Sequence, residues 1–212
     1  IEKQINYKMV DCYSSDIMMQ LKDCNSLMWH FSQNSPKDFL FAKQLIYSVE
    51  AAGKKVFPGF YTSWHFDDKV GQKYLLEAIE APLIPTWVFY RKQEALKWAE
   101  SAMFPKVFKL RGGAGSQNVR LVNTKKDAKR LIKKAFSKGF LAYNTFGSLK
   151  ERWSKYRIGK TDIKDLIKGV IRFFVPPPYA RVKGREKGYI YFQEFIYDND
   201  HDIRVIVING KA

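Results

Sequence analysis

The stretch Pro105-Lys-Val-Phe-Lys-Leu110, running into Arg111-Gly-Gly-Ala-Gly-Ser-Gln-Asn118 and out through Val119-Arg-Leu-Val122, constrains this chain more than any other. Apolar and polar residues alternate on both sides of a glycine-rich turn, which predicts two antiparallel strands joined by a flexible tip. Glycines leave the backbone uncovered, so the N–H groups of such a turn can cradle phosphate oxygens, and Lys109 adds a point charge beside it. The turn is not the GxxxxGK[ST] phosphate loop, because no Lys-Ser or Lys-Thr follows its last glycine. Nor is it the GxGxxG dinucleotide fingerprint, because a strand and not a helix comes next. Taken alone it is equally an ordinary hairpin connection.

Upstream, the pattern alternates strand and helix. Tyr7–Val10 reads as a strand, Ser14 or Ser15 as the cap of a helix through Leu21, and Ser26–Phe31 as a second strand. Ser35-Pro36 places a cap and a first-turn proline at the start of a helix that Gly53 should end, just before Lys55-Val-Phe57. This βαβα order predicts a small parallel sheet. Asp67 is expected to cap a helix to about Ile79, Pro82 and Pro85 break the chain, and Thr86–Tyr90 and Gln93–Ser101 read as strand and helix. Thr124, with Asp127 three residues on, opens a helix expected to reach Lys138.

From Gly147 to Gly188 the chain is least regular and most basic. Ile163, Leu166, Ile167, Val170, Ile171 and Phe174 recur at helical spacing, with Lys164, Lys168 and Arg172 on another face, until Pro176–Pro178 intervenes. Tyr189–Ile196 and Ile203–Ile208 read as strands around an acidic turn. Asn209-Gly210 is a strong hairpin signal, yet only Lys211 and Ala212 follow it. With no methionine at the start, the expectation is that residues are missing at both ends. The predicted fold class is α/β: a small parallel domain over residues 1–82, incomplete at its N-terminus, followed by a larger region over 83–212.

Thirty-seven Lys and Arg against 21 Asp and Glu give a formal charge of +16. The partner is therefore expected to be anionic: nucleic acid, an acidic membrane surface, nucleotide phosphates or a polyacidic substrate. The apolar runs fall far short of the ~20 residues that span a bilayer. Cys12 and Cys24 lack metal-type spacing, and with no secretory leader expected before them the expected setting is reducing and cytoplasmic. No Ser/His/Asp or Cys/His set stands out for nucleophilic catalysis. His30 and His65, each following a tryptophan, are expected to be partly buried structural residues, and His201 exposed. Asp198, Asp200 and Asp202 lack the twelve-residue pattern and closing Glu of a calcium loop. The stripe Lys125, Lys126, Lys129, Arg130, Lys133 and Lys134 is expected to face solvent, and Trp153, Tyr156 and Arg157 to pack the basic insertion onto the body.

Asp68-Lys69 opening a helix, Phe104–Lys109 before the glycine turn, Gln193-Glu-Phe-Ile196, and Asp202-Ile-Arg204 together resemble, in order and spacing, the ATP-grasp superfamily. The likeness is nearest to the branch of ribosomal-protein glutamate ligase and glutathione synthase, and covers Trp64 to Ala212. It implies an ATP-grasp nucleotide-binding region with a lid over about 85–191. It also implies an ATP-dependent carboxylate–amine ligase acting through an acyl phosphate, with ATP and Mg²⁺ as cofactors. Lys69 and Lys109 would contact the nucleotide phosphates, Lys109 also lying near the adenine. Gly112, Gly113, Ala114, Gly115 and Ser116 would form the closing loop. Gln193, Glu194, Phe195 and Ile196 would be the hinge strand that reads the adenine edge, Asp202 would hold the ribose, and the catalytic Arg204 would bind a carboxylate or acyl phosphate. Asn118 replaces the usual glycine, a change that asparagine's tolerance of positive φ makes acceptable. The family's magnesium ligands lie on strands after Ile208, so this stretch is expected to bind ATP without turning over substrate. The carboxylate and the amine stay unidentified, although the charge of the 147–188 insertion suggests an acidic acceptor. The alternatives are a basic nucleic-acid-binding protein and an inactive ATP-grasp-like binding protein.

Overall fold

A computed structural model describes residues 5–32, 35–112, 118–141 and 178–199, with scattered residues between 142 and 177 and residue 205. In the first part, α1 (Ile17–Gln20), β1 (Ser26–Met28), α2 (Pro36–Ala51) and β2 (Lys55–Phe57) follow one another, and β1 pairs with β2 in parallel, Leu27 opposite Val56. The entry to α2 is as the sequence dictates. Ser35 accepts from the Asp38 N–H, Pro36 occupies the first turn, and Gly53 at φ +78° follows its end. Leu21, Leu27, Leu45 and Val49 bury together with Cys12 between helices and strands. Tyr7–Val10, expected to be a strand, is not one. Tyr7 and Met9 are exposed, and Lys8 reaches across to Asp23.

The short helix α3 (Phe60–Ser63) leads to α4 (Lys69–Ala78). Its cap is Asp68 and not Asp67: Asp67 takes the left-handed turn at φ +54°, and the Asp68 carboxylate then accepts from the Gly71 N–H at 2.9 Å. Next come β3 (Thr86–Phe89), α5 (Lys92–Ser101), β4 (Lys106–Lys109), β5 (Val119–Val122), α6 (Lys125–Ala135) and β6 (Phe140–Leu141). Finally α7 (Pro178–Lys183), β7 (Arg185–Glu186) and β8 (Ile190–Glu194) complete the described elements. Thr124 caps α6 through the Asp127 N–H at 3.1 Å, but the helix stops at Ala135, short of Lys138, where Gly139 at φ +66° turns the chain.

Strands β3, β8, β4 and β5 form one antiparallel sheet in that order. Because side chains alternate across a strand, the register fixes two faces. Phe89 and Ile190, Trp87 with Phe192 and Phe108, all lie on one face and pack under α5 and α6. Trp98 of α5 stacks on Phe192 at 4.9 Å, and α6 buries Ala128, Leu131, Ile132 and Ala135. Each such large apolar side chain contributes about 2–3 kcal/mol through burial. The opposite face carries Thr86, Val88, Val107, Lys109, Tyr191 and Gln193 and is left for a cleft. The whole is a mixed α/β fold, as the sequence predicted.

The expected helix over 161–174 and strand over 203–208 lie largely outside the described residues. Of the former, Ile167, Val170 and Ile171, expected on an apolar face, are half exposed. Trp153 and Tyr156 lie against each other with rings 6.3 Å apart and exposed, so they do not pack down as anticipated.

Candidate nucleotide cleft

A cleft of about 700 Å³ opens at the uncovered face and at the turn beyond β8, and Val107, Lys109, Gln193, Phe195 and Ile196 are among the residues that line it. The antiparallel register pairs Val107 with Gln193 across β4 and β8, and the two-residue period then brings Lys109 to the same side. The Lys109 ammonium donates to Gln193 Oε1 at 2.5 Å, while Gln193 Nε2 donates to Thr86 Oγ1 at 3.1 Å. Gln193 is thus fixed by neighbours on both flanking strands. Glu194 contributes differently: its carboxylate turns to the other side and takes the buried Lys106 ammonium at 2.7 and 2.8 Å, and its N–H donates to the Pro85 carbonyl at 2.8 Å.

Lys69 and Lys109 come from separate elements yet feel one another. Burial, then the charge of Lys69, pushes the Lys109 ammonium below its ordinary pKa. Burial likewise lowers Lys69, with Asp67 and Glu186 opposing the shift and Lys183 adding to it. Desolvation and like charge both disfavour an ammonium, so an anion delivered here would relieve both.

Around the base of the glycine turn the structure assembles a network that the sequence reading missed. Arg111 Nε donates to Asp68 at 2.9 Å, and the Arg111 N–H donates to Glu186 at 2.9 Å and to the Tyr189 hydroxyl at 2.6 Å. Its carbonyl accepts from the Lys69 N–H at 2.9 Å, tying the start of α4 to the end of β4. Burial alone would raise the Asp68 carboxyl, but the Arg111 guanidinium and the Gly71 N–H outweigh it and hold it below the usual carboxylate value. Burial and then the Glu186 charge push the Tyr189 hydroxyl up, so it stays protonated. Lys183 lies 3.8 Å from Asp67 and 3.9 Å from Glu186, and occupies the space a Cβ on Gly112 would need, 1.9 Å from its Nζ. The only sequence signal for this cluster was the adjacency of Asp68 to Lys69 and of Arg111 to the glycines. Glu186, Tyr189 and Lys183 carried none.

Lys69, Lys109, Gly112 and the hinge Gln193–Ile196 are therefore placed around one region. Gly113, Ala114, Gly115 and Ser116, together with Asp202 and Arg204, lie outside the described residues, as does His201. Asn118 adopts φ +62°, the conformation anticipated for it. His65 is half-buried, with Nδ1 lacking a hydrogen-bond partner among the described residues. His30 is exposed, contrary to expectation. The basic stripe of α6 is partly neutralised on its own surface: Lys125 and Lys129 reach Glu100, and Arg130 reaches Asp127 at 3.4 Å. Among the described residues no group of three or more His, Cys, Asp or Glu is placed to hold a metal ion, and no helix is long and apolar enough to cross a membrane.

No family model matches the sequence, and no curated protein matches it. Among solved structures, the chain is similar to the biotin carboxylase domain of Hydrogenobacter thermophilus 2-oxoglutarate carboxylase in complex with MgADP, ADP and bicarbonate. That match has 12% identity and a TM-score of 0.45. It is also similar to the biotin carboxylase domain of a thermophilic 2-oxoglutarate carboxylase bound to ADP without magnesium, at 12% identity and a TM-score of 0.31. In each case 86% of this chain is covered, and it spans 30% of the solved chain.

Proposed function

We propose that this chain is the ATP-binding part of an ATP-grasp carboxylate–amine ligase, with a small α/β domain to about residue 82 and the nucleotide region after it. The observation that supports this best is the convergence of Lys69 and Lys109, two desolvated ammoniums of like charge, beside a glycine turn and a cleft. Burial and the charge of Lys69 disfavour the Lys109 ammonium, a bound anion would relieve both, and a polyphosphate is the anion for which a glycine turn supplies N–H donors.

In this reading Lys69 and Lys109 hold the phosphates, and the turn Gly112–Ser116 closes over them. The hinge Gln193–Ile196 borders the adenine, with the Gln193 side chain keeping Lys109 oriented. Asp202 would take the ribose and Arg204 the carboxylate. Bound ATP would supply the phosphoryl group that activates a carboxylate toward an amine. The chain's own contribution is positioning and charge neutralisation, which account for most of the catalysis in phosphoryl transfer. Magnesium would enter with the nucleotide; the described residues assign it no ligand. The free thiols Cys12 and Cys24 are consistent with a reducing compartment and hence a cytoplasmic enzyme.

Calorimetric titration with a non-hydrolysable ATP analogue and Mg²⁺ tests this. Saturable binding by wild type and a loss of tenfold or more, about 1.4 kcal/mol, in Lys109→Ala is the expected result. Oligonucleotide binding with steep salt dependence, together with no preference for ATP, would instead favour the nucleic-acid alternative.

A further inference from the structure

A second cavity, of about 680 Å³, shares none of its lining residues with the cleft. It lies among α2, α3 and α4, closed on one side by Tyr90 and Arg111. We propose that it binds an organic monocarboxylate with a flat apolar body, at a site separate from the nucleotide.

Its walls are aromatic: Tyr47, Phe60, Trp64, Tyr74 and Tyr90. Tyr47 and Phe60 meet edge to face with centroids 5.1 Å apart, and the Tyr74 and Tyr90 hydroxyls are hydrogen-bonded at 3.1 Å. Ring faces and edges of this kind grip a planar body through dispersion and offset stacking. Gly71 makes room for them, since a Cβ there would come within 3.0 Å of the Trp64 ring. Such a set of rings lining an open cavity is more than packing of the neighbouring core requires: Tyr47 and Tyr90 are each about half exposed, at 54%.

The charge in the cavity selects the ligand's other end. Lys43 and Arg111 contribute two positive charges and Asp68 one negative, leaving one cation in excess. Arg111 spends its Nε and one terminal nitrogen on Asp68, and Lys43 donates one of its three N–H groups to the Trp64 carbonyl. The remaining Lys43 donors are the free positive end of the cavity. Among the described residues no carboxylate lies within ion-pairing distance of Lys43. Asp67 and Lys183, which act on Lys43 from further away, are opposite in sign. A single excess charge suits a monoanion better than a phosphate, which carries nearly two, and a carboxylate is a monoanion that the remaining Lys43 donors can hydrogen-bond.

The test is titration of the chain with benzoate, 4-hydroxyphenylacetate and indole-3-acetate, each beside its uncharged amide. The result expected is saturable binding of at least one acid, with its amide at least tenfold weaker. Lys43→Met should weaken the acid at least fivefold and leave the amide unchanged, while Tyr47→Ser, at a half-exposed position, should weaken both. The ATP analogue should not displace the acid, and Lys109→Ala should not alter its affinity, so the proposal stands or falls independently of the nucleotide reading. It is overturned if none of the three acids binds, if acid and amide bind alike, or if the nucleotide competes.

Discussion

Lys106 and Lys109 stand on the same short strand, one on each face of the sheet, and they face opposite electrostatic situations. Lys106 is buried at 6% exposure, holds both oxygens of Glu194, and lies over the Trp87 ring at 5.3 Å. Lys109 is half-buried, has an amide oxygen as its neighbour, and is repelled by a second lysine. Among the described residues no carboxylate lies within ion-pairing distance of Lys109. The first arrangement is complete in itself and contributes to folding. The second is costly as it stands, and is the kind of arrangement that a ligand completes.

The largest effect should come from breaking the complete pair. Glu194→Ala leaves an uncompensated buried ammonium and should cost roughly 2–3 kcal/mol in urea unfolding, somewhat under the figure for a fully buried pair because Glu194 is partly exposed. The double replacement Lys106→Met with Glu194→Leu should restore most of that loss. A single-variant cost under about 0.5 kcal/mol would put Lys106 in the same class as an ordinary surface lysine and dissolve the contrast.

A smaller effect, of opposite sign, is expected at Lys109. Its folded-state pKa lies below the unfolded value, so between the two values the unfolded chain binds more protons and stability rises with pH. Lys109→Met should therefore raise stability at pH 7, by under about 1 kcal/mol given the partial solvent exposure. It should also flatten the gain that wild type shows as pH climbs toward 10.5. Denaturant midpoints measured between neutral and alkaline pH on both proteins decide it, and a variant less stable than wild type at pH 7 would mean that the Gln193 hydrogen bond outweighs the repulsion.

The smallest effect concerns the turn leading back from the glycines. Asn118→Gly should change stability by no more than about 0.5 kcal/mol, because asparagine already accepts φ +62°. Asn118→Val should cost about 1–2 kcal/mol for forcing a β-branched residue into the left-handed region. Thermal midpoints of the two variants sharpen how much of the cleft's geometry depends on this one conformation.

Part of the cleft, though not the pairing of Lys106, was legible in the sequence. Lys109 beside the glycines, the strand alternation of β4 and β8, and the caps at Ser35 and Thr124 are local signals, each decided by neighbours within four residues. What was misjudged was local too, but balanced between near-equivalent choices. Asp67 and Asp68 are both good caps, and only the left-handed turn at Asp67 selects the second. Tyr7–Val10 has strand composition, yet composition cannot supply a pairing partner.

The sequence by itself determined the strand–turn–strand unit, the helix starts, and the candidate lysines, because hydrophobic period, glycine freedom and capping chemistry act over a few residues. Only the tertiary structure decided that Lys106 would be paired with Glu194 and Lys109 with Gln193, that Arg111 would join Asp68 to Glu186 and Tyr189, and that Lys69 would come close enough to repel Lys109. Those outcomes depend on the antiparallel register of β8 against β4 and on where α4 and α7 come to rest. Charges separated by scores of residues acquire a meaning only when packing has fixed the distance and the dielectric between them.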